Sequence, residues 1–271
     1  MTRCNILISI EHKSTTQIIW SYIKMFHKIL SNLGIQGIEI NTCIYTANPQ
    51  AGQIINGEII FKGANSNKSV NGIYLYLKTR AEVESGDHEF NQDLTIQQWH
   101  ISGAFELQAN QSHNIPFSIQ LPFETPITDV ACRINKTRVW LHTHLDIDWG
   151  VDATDQDHLN ILPTPAMQAF LTAMQQCGFA LATVDVEKGQ LRGGNYFSTI
   201  GCYQELEFIP TRHFSGINEV EVSFVAQEQQ THVMLEVDRK FRGDQLRSIT
   251  IPHQNISVPH LVQQIQHILN I

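Results

Sequence analysis

The segment HTHLDID sets His142, His144, Asp146 and Asp148 two residues apart. On a β-strand that spacing sends all four to one face and Leu141, Thr143, Leu145 and Ile147 to the other. Two imidazoles beside carboxylates are a ligand set for zinc or iron, and a metal there would support hydrolysis. The competing reading is the solvent side of an ordinary half-buried strand. A barrel that uses such an H-x-H pair needs alternating strands and helices, and residues 38–162 show no helical period. His158 lies close in sequence, but no further ligand converges. The strand reading is therefore preferred, with a metal-dependent hydrolase as the alternative, and no metal ligand is assigned.

Other candidates for chemistry fall away on spacing. Counted as a calcium loop from Asp152, the third position is Thr154, the sixth Asp157 and the twelfth Pro163, so the required Gly and Glu are missing. Asp152, Asp155 and Asp157 read instead as an Asp-rich turn. There is no G-x-S-x-G elbow, and the glycines of QLRGGN and GNYFSTIGC match neither a phosphate-binding loop nor a dinucleotide fingerprint. No catalytic or cofactor-binding residue is assigned.

Three strand-like runs carry acids at a spacing of two: Glu205 with Glu207, Glu219 with Glu221, and Glu236 with Asp238. Lys240 and Arg242 fall on the face of the last pair and Arg239 on the other. One reading is a solvated face with cross-strand charge pairs worth roughly 0.2–1 kcal/mol each. The other is a docking patch for a protein partner, or a second subunit in a homo-dimer, that presents Arg or Lys.

These residues need strands to position them, and the pattern supplies strands. GIEINTCIYT, QIINGEIIFKG and VNGIYLYLKTR alternate with period two between Asn, Gly, Pro and Ser clusters. In the third, Ile73, Leu75 and Leu77 share one face, and Tyr74, Tyr76, Lys78 and Arg80 the other. Glu82–Asp93 is acidic and polar and reads as a loop. LTIQQWHISGAFELQ resumes the strand pattern, and Pro116, Pro122 and Pro126 exclude a long central strand after it. TRVWLHTHLDID and HLNILP complete an expected antiparallel β-sandwich over residues 36–163. The period then changes. Met167, Phe170, Leu171 and Met174 mark a helix ended by Gly178, and FALATVDVE, CYQELEFIP, EVEVSFVAQ and THVMLEVDRKF read as four strands. A last helix carries Leu261, Val262, Ile265, Ile268 and Leu269 on one stripe. Residues 164–271 thus form a second, smaller domain of antiparallel strands with flanking helices.

Residues 1–35 stand apart. They carry Arg3, Lys13, Lys24 and Lys28 against Glu11 alone, and Ile19, Tyr22, Ile23, Phe26, Ile29, Leu30 and Leu33 recur at helical spacing. This basic amphipathic helix suits an anionic membrane, a partner, or the protein's own body, unless the residues upstream of Met25 are not translated. The chain as a whole has a formal net charge of −8, which gives no general attraction to nucleic acid. Five cysteines without a C-x-x-C pair read as reduced thiols of a cytoplasmic protein.

Taken in order, IPFSIQLPFETPIT, VWLHTHLDIDWGVDATDQDHLNILPTP, GFALATVDVEKGQL, YQELEFIPT, NEVEVSFV and LEVDRKFRG closely resemble the bacterial sporulation-control (SpoOM) family. The resemblance covers roughly residues 25–250. It implies a mainly β fold, with an arrestin-like β-sandwich followed by a second domain. It also implies a cytoplasmic, non-enzymatic regulatory protein with no cofactor, and the reading adopted is a scaffold that acts by protein–protein contact. His144 stands where the family usually has glycine, which argues against an inherited metal site. Residues 1–24 become an extension without counterpart. A peripheral membrane adaptor using the first helix is the remaining alternative.

Overall fold

The computed structural model describes residues 37–271 apart from 87, 194–195, 213–215 and 241. The expected helix over residues 16–33 lies outside the described residues. The first half of the chain is all strand: β1 (Glu39–Ile44), β2 (Ile54–Lys62), β3 (Lys68–Ser85), β4 (His88–Ser102), β5 (Phe105–Leu107), β6 (Ser112–Gln120), β7 (Ile134–Asn135), β8 (Val139–Ile147) and β9 (Ala153–His158). Helix α1 (Pro165–Gln176) follows. Then come β10 (Phe179–Lys188), β11 (Arg192–Gly193), β12 (Tyr196–Phe197), β13 (Cys202–Pro210), β14 (Ile217–Ala226), β15 (Gln230–Arg239), β16 (Arg242–Pro252) and helix α2 (Val258–Leu269).

Most of these strands form one long sheet in the order β16-β15-β14-β13-β10-β3-β8-β9, with β4 and β5 also on β3 and β7 on β10. Strand β3 joins the halves. Its first part pairs antiparallel with β8, and Glu82 then meets Glu187 of β10 in a parallel contact. A second sheet, β1-β2-β6, backs the first half. Ile73, Leu75, Leu77, Leu141 and Leu145 point inward there and share one buried core with Ile55, Ile59, Phe61 and Phe117 of the small sheet. Pro116 sits on β6, an edge strand, where its missing N–H costs no ladder bond.

In the second half the two helices take the backing role. Val184, Val186, Leu206, Phe208, Val220, Val222, Leu235 and Val237 are buried with Phe170 and Met174 of α1 and Leu261 and Ile265 of α2. Phe170 meets Phe224 edge-on at 5.8 Å between ring centroids. Helix α1 starts where Thr164 caps it and Pro165 fills the first turn, and it stops at Gly178, whose φ of +88° suits glycine. The helices and the small sheet thus back one side of the long sheet; on the other, Tyr196 of β12 stacks on His232 at 3.9 Å between ring centroids and covers the ends of β14 and β15, where Ser223, Val225 and Met234 are buried.

Four local expectations change. Glu82–Asp93 is not a loop: β3 and β4 stay in register through Glu84 opposite Glu89 and Ser85 opposite His88. Main-chain pairing needs no apolar alternation there, and Arg80 bonds Asp93 at 3.0 Å across the pair. Asp155 and Asp157 are not in a turn but on β9, turned toward the sandwich interior, where Asp155 Oδ2 accepts from the Thr42 N–H at 2.6 Å. Asp148 lies in the turn beyond β8 rather than on its face. Finally, β16 is a long strand absent from the sequence reading. It is an edge strand on which Ile249 and Ile251 are buried while Leu246, Arg247 and Ser248 are exposed, so its alternation is weak.

Candidate functional site

The open side of the second half is built from the residues that alternate with the buried valines and leucines. On β13, β14 and β15 these include the six acids read from the sequence, followed along β14 and β15 by Ser223, Val225, Met234 and His232. Register places Glu207 opposite Glu221, and Glu221 opposite Glu236, so three carboxylates form one row across three adjacent strands. Asp185 faces Glu205 in the next row, and Glu219 faces Asp238 on the other side. The Asp238 carboxylate accepts from Asn218 Nδ2 at 2.8 Å.

The structure adds three acids that the sequence reading did not include. Asp185, Glu187 and, through the β3–β10 contact, Glu82 extend the surface toward the first half. Among the described residues these three form the grouping of ligand-type side chains compact enough to hold a cation, within 4.8 Å of one another. A cation of the protein itself is already there: Lys136 Nζ lies 3.0 Å from Glu82 and 3.4 Å from Asp185. The Glu82 hydrogen bond holds the lysine pKa above its usual value.

Burial and the crowding of carboxylates raise the pKa values of several acids on this face. Burial first, then Glu221, Glu187, Asp185 and Glu236, push the Glu205 carboxyl up to about 8. Burial and Glu236 lead the causes that push Glu221 up to about 7. Burial raises Asp185 too, against the opposing pull of Lys136. Among the described residues no Lys, Arg or His forms an ion pair with Glu205, Glu207, Glu221 or Glu236. Lys240 falls in the turn after β15 rather than on the strand face, and Arg239 points to the helix side, where Nη2 donates to the Leu269 carbonyl at 2.6 Å. The side chain of Arg242 lies outside the described residues.

His142, His144 and Asp146 do share the open face of β8, and His100 joins them from β4 through Tyr74, stacked at 5.0 Å. Tyr76 lies 6.1 Å from His142 and 6.3 Å from His144, ring centroid to centroid. His144 Nε2 lies 3.0 Å from Asp152 Oδ2. Burial and the nearby Lys78 hold His142 below its usual pKa. The imidazoles are thus engaged with aromatic rings and a turn carboxylate.

The comparisons with known proteins fit this architecture. The SpoOM protein family model matches residues 26–241. The chain belongs to the SpoOM family. The sporulation-control protein spo0M of Bacillus subtilis (strain 168) is 30% identical over 224 residues, which span 82% of this chain and 83% of that protein. The crystal structure of Spo0M from Bacillus subtilis superposes with a TM-score of 0.77 at 26% identity, covering 87% of this chain and 99% of the other. The family expectation of a mainly β fold therefore holds in this member. Among the described residues no helix is long and apolar enough to cross a membrane.

Proposed function

We propose that this SpoOM-family chain is a non-enzymatic cytoplasmic regulatory scaffold that acts by docking a protein with a basic surface on its open carboxylate face. The observation that carries the reading is the row Glu207, Glu221 and Glu236, three acidic side chains in direct cross-strand register, whose full ionisation sets like charges against one another. Like charges opposite one another destabilise a sheet, so the row works against the fold that bears it. A partner presenting Lys or Arg relieves that repulsion. Charge complementarity of this kind governs association rate and specificity more than raw affinity, which suits a regulator that must bind and release. The relative's printed name places it in sporulation control, and this chain is read as a regulator of a comparable process. The arrestin-like sandwich over 36–163 and the smaller domain over 164–271 are the two units of that scaffold.

The test is affinity capture of the tagged chain from its own cells, comparing wild type with the triple variant Glu207→Gln, Glu221→Gln, Glu236→Gln. Partners retained by the wild type at low salt, lost at high salt and lost from the folded triple variant support the reading. Retention of the same partners by the triple variant moves the interaction to another surface.

A further inference from the structure

The β8–β9 hairpin turns through Asp148-Trp149-Gly150-Val151, and the turn is firmly built. Asp152 closes it: Oδ1 accepts from the Ile147 N–H at 2.9 Å, and Oδ2 lies 3.0 Å from His144 Nε2. The Asp148 N–H donates to the Ser69 carbonyl at 2.9 Å. This frame holds two apolar side chains in water, Trp149 at 97% exposure and Val151 at 91%. Trp149 also takes a φ of +49°, a left-handed conformation unfavourable for a bulky L residue. The indole adds nothing to the described core. Exposed apolar side chains set side by side on a rigid frame mark a contact surface.

The course of the chain shows what stands next to this tip. Strand β1 and the segment after it run in the same direction as β9 and the segment after that, with a constant offset of 113 residues. The Thr42 N–H donates to Asp155 Oδ2, the Leu162 N–H to the Pro49 carbonyl, and Gln50 Nε2 to the Pro163 carbonyl. Carried back from Thr42, the same offset sets Glu39, where β1 begins, level with Asp152 at the base of the tip. The chain before β1 therefore leaves the sandwich beside Trp149 and Val151. That stretch of chain holds the stripe Ile19, Tyr22, Ile23, Phe26, Ile29, Leu30 and Leu33 at helical spacing. Residues 34–38 alone separate Leu33 from β1, a reach of at most about 20 Å. A helix over 16–33 would be about 27 Å long, so its last two turns stay within range of the tip. The apolar groove beside α1, lined by Gln50 and Leu162, lies beyond the opposite end of β1.

Charge favours the same neighbour. Residues 146–152 carry Asp146, Asp148 and Asp152 and no Lys or Arg, while residues 1–35 carry Arg3, Lys13, Lys24 and Lys28 against Glu11 alone. On a helix Lys24 and Lys28 fall opposite the apolar stripe, so they stay in water, and their charge steers the segment rather than pairing in the seam.

We propose that the helix of residues 16–33 docks, within its own molecule, on the Trp149–Val151 tip, with Phe26, Ile29, Leu30 and Leu33 covering the indole. Docking occupies the stripe that a membrane or a partner would otherwise take. The tip shares no residue with the carboxylate row, so this contact and partner docking stand or fall separately.

The test is hydrogen–deuterium exchange of the full chain, read in peptides spanning residues 16–33, for wild type, Trp149→Ser, Phe26→Ser and Leu171→Ser. Wild type is expected to protect residues 26–33 to the same degree at every protein concentration. Trp149→Ser is expected to lower that protection about tenfold or more and to leave β8 and β14 unchanged, since its ring touches little of the described fold. Phe26→Ser lowers it from the other side of the contact, and Leu171→Ser, in the groove beside α1, leaves it as in wild type. An unprotected segment in wild type, or equal protection in Trp149→Ser, overturns the proposal. Protection kept in Trp149→Ser but lost in Leu171→Ser would place the helix in the groove and overturn it too. Protection that grows with protein concentration would assign the tip to a second copy. Protection that appears only with phosphatidylglycerol vesicles would assign the helix to a membrane. Either result equally overturns the proposal.

Discussion

Replacing Glu205 with Gln removes the carboxyl most strongly held in its protonated form. Its pKa rises from an ordinary 4.5 to about 8 in the folded protein. One pKa unit is worth about 1.4 kcal/mol, so the whole shift corresponds to about 5 kcal/mol between the two protonation states. The side chain is only half-buried, and water and salt reduce that figure to about 1–3 kcal/mol. The sign follows from linkage. A carboxyl whose folded pKa lies above its unfolded one contributes its full stability below the unfolded value and loses it as pH rises through the folded value. Wild type should therefore lose stability between about pH 5 and about pH 9, while the variant loses less. Urea midpoints at the two pH values are the assay. Glu205→Gln should match wild type near pH 5 and exceed it by about 1–3 kcal/mol near pH 9. A stability difference that is the same at both pH values would refute the reasoning.

Three further outcomes are expected. Gln204 is buried and ties the segment before β7 to β13: Oε1 accepts from Ile127 N at 2.9 Å, and Nε2 donates to Ile127 O and Thr137 Oγ1, each at 2.8 Å. Gln204→Leu strands the Ile127 N–H and carbonyl and should cost about 2–4 kcal/mol in a denaturation curve; a loss under about 0.5 would show that water or neighbours satisfy them. Burial and the Asp155 carboxylate beside it raise the Asp157 carboxyl to about 7, and Asp157 in turn helps raise the thiol of Cys43 on the small sheet. Wild type is expected to lose protection in β1 as pH rises through about 7, with amide exchange corrected for its intrinsic hydroxide dependence, and Asp157→Asn to lose less; identical loss in both would assign the effect to another group. The double variant His142→Ala, His144→Ala should leave metal content as in wild type, whereas stoichiometric zinc or iron lost on mutation would establish a metal site there.

What the sequence made legible follows from the period of the strand. Alternation on β3 puts Ile73, Leu75 and Leu77 inside and Tyr74 and Tyr76 outside, and burial agrees residue by residue. The same logic put Glu205 with Glu207, and Glu219 with Glu221, on common faces. It could not show that Glu207, Glu221 and Glu236 are opposite one another, because register depends on which strands become neighbours. For the same reason Glu82 escaped notice: only the nonlocal contact of β3 with β10 carries it to Asp185. Strand β9 was hidden because aspartate is a turn former, yet Asp155 accepts a main-chain hydrogen bond from β1 and so pins the strand. Strand β16 was hidden because an edge strand buries few of its residues. Gln204 was hidden because a neutral polar residue among alternating acids reads as surface, and only the fold shows that it satisfies buried main chain.

The claim that the carboxylate face takes a cationic partner is tested most directly by calorimetric titration of a lysine-rich peptide into the full chain. Run near pH 7.5 in two buffers of different ionisation heat, the titration reports binding and proton exchange together. Glu205 and Glu221 retain protons up to about 8 and about 7, so a bound cation should expel protons from the face. The account predicts salt-sensitive binding with net proton release, lost in the Glu207→Gln, Glu221→Gln, Glu236→Gln variant. Identical heats in the two buffers, or equal binding by that variant, would contradict it.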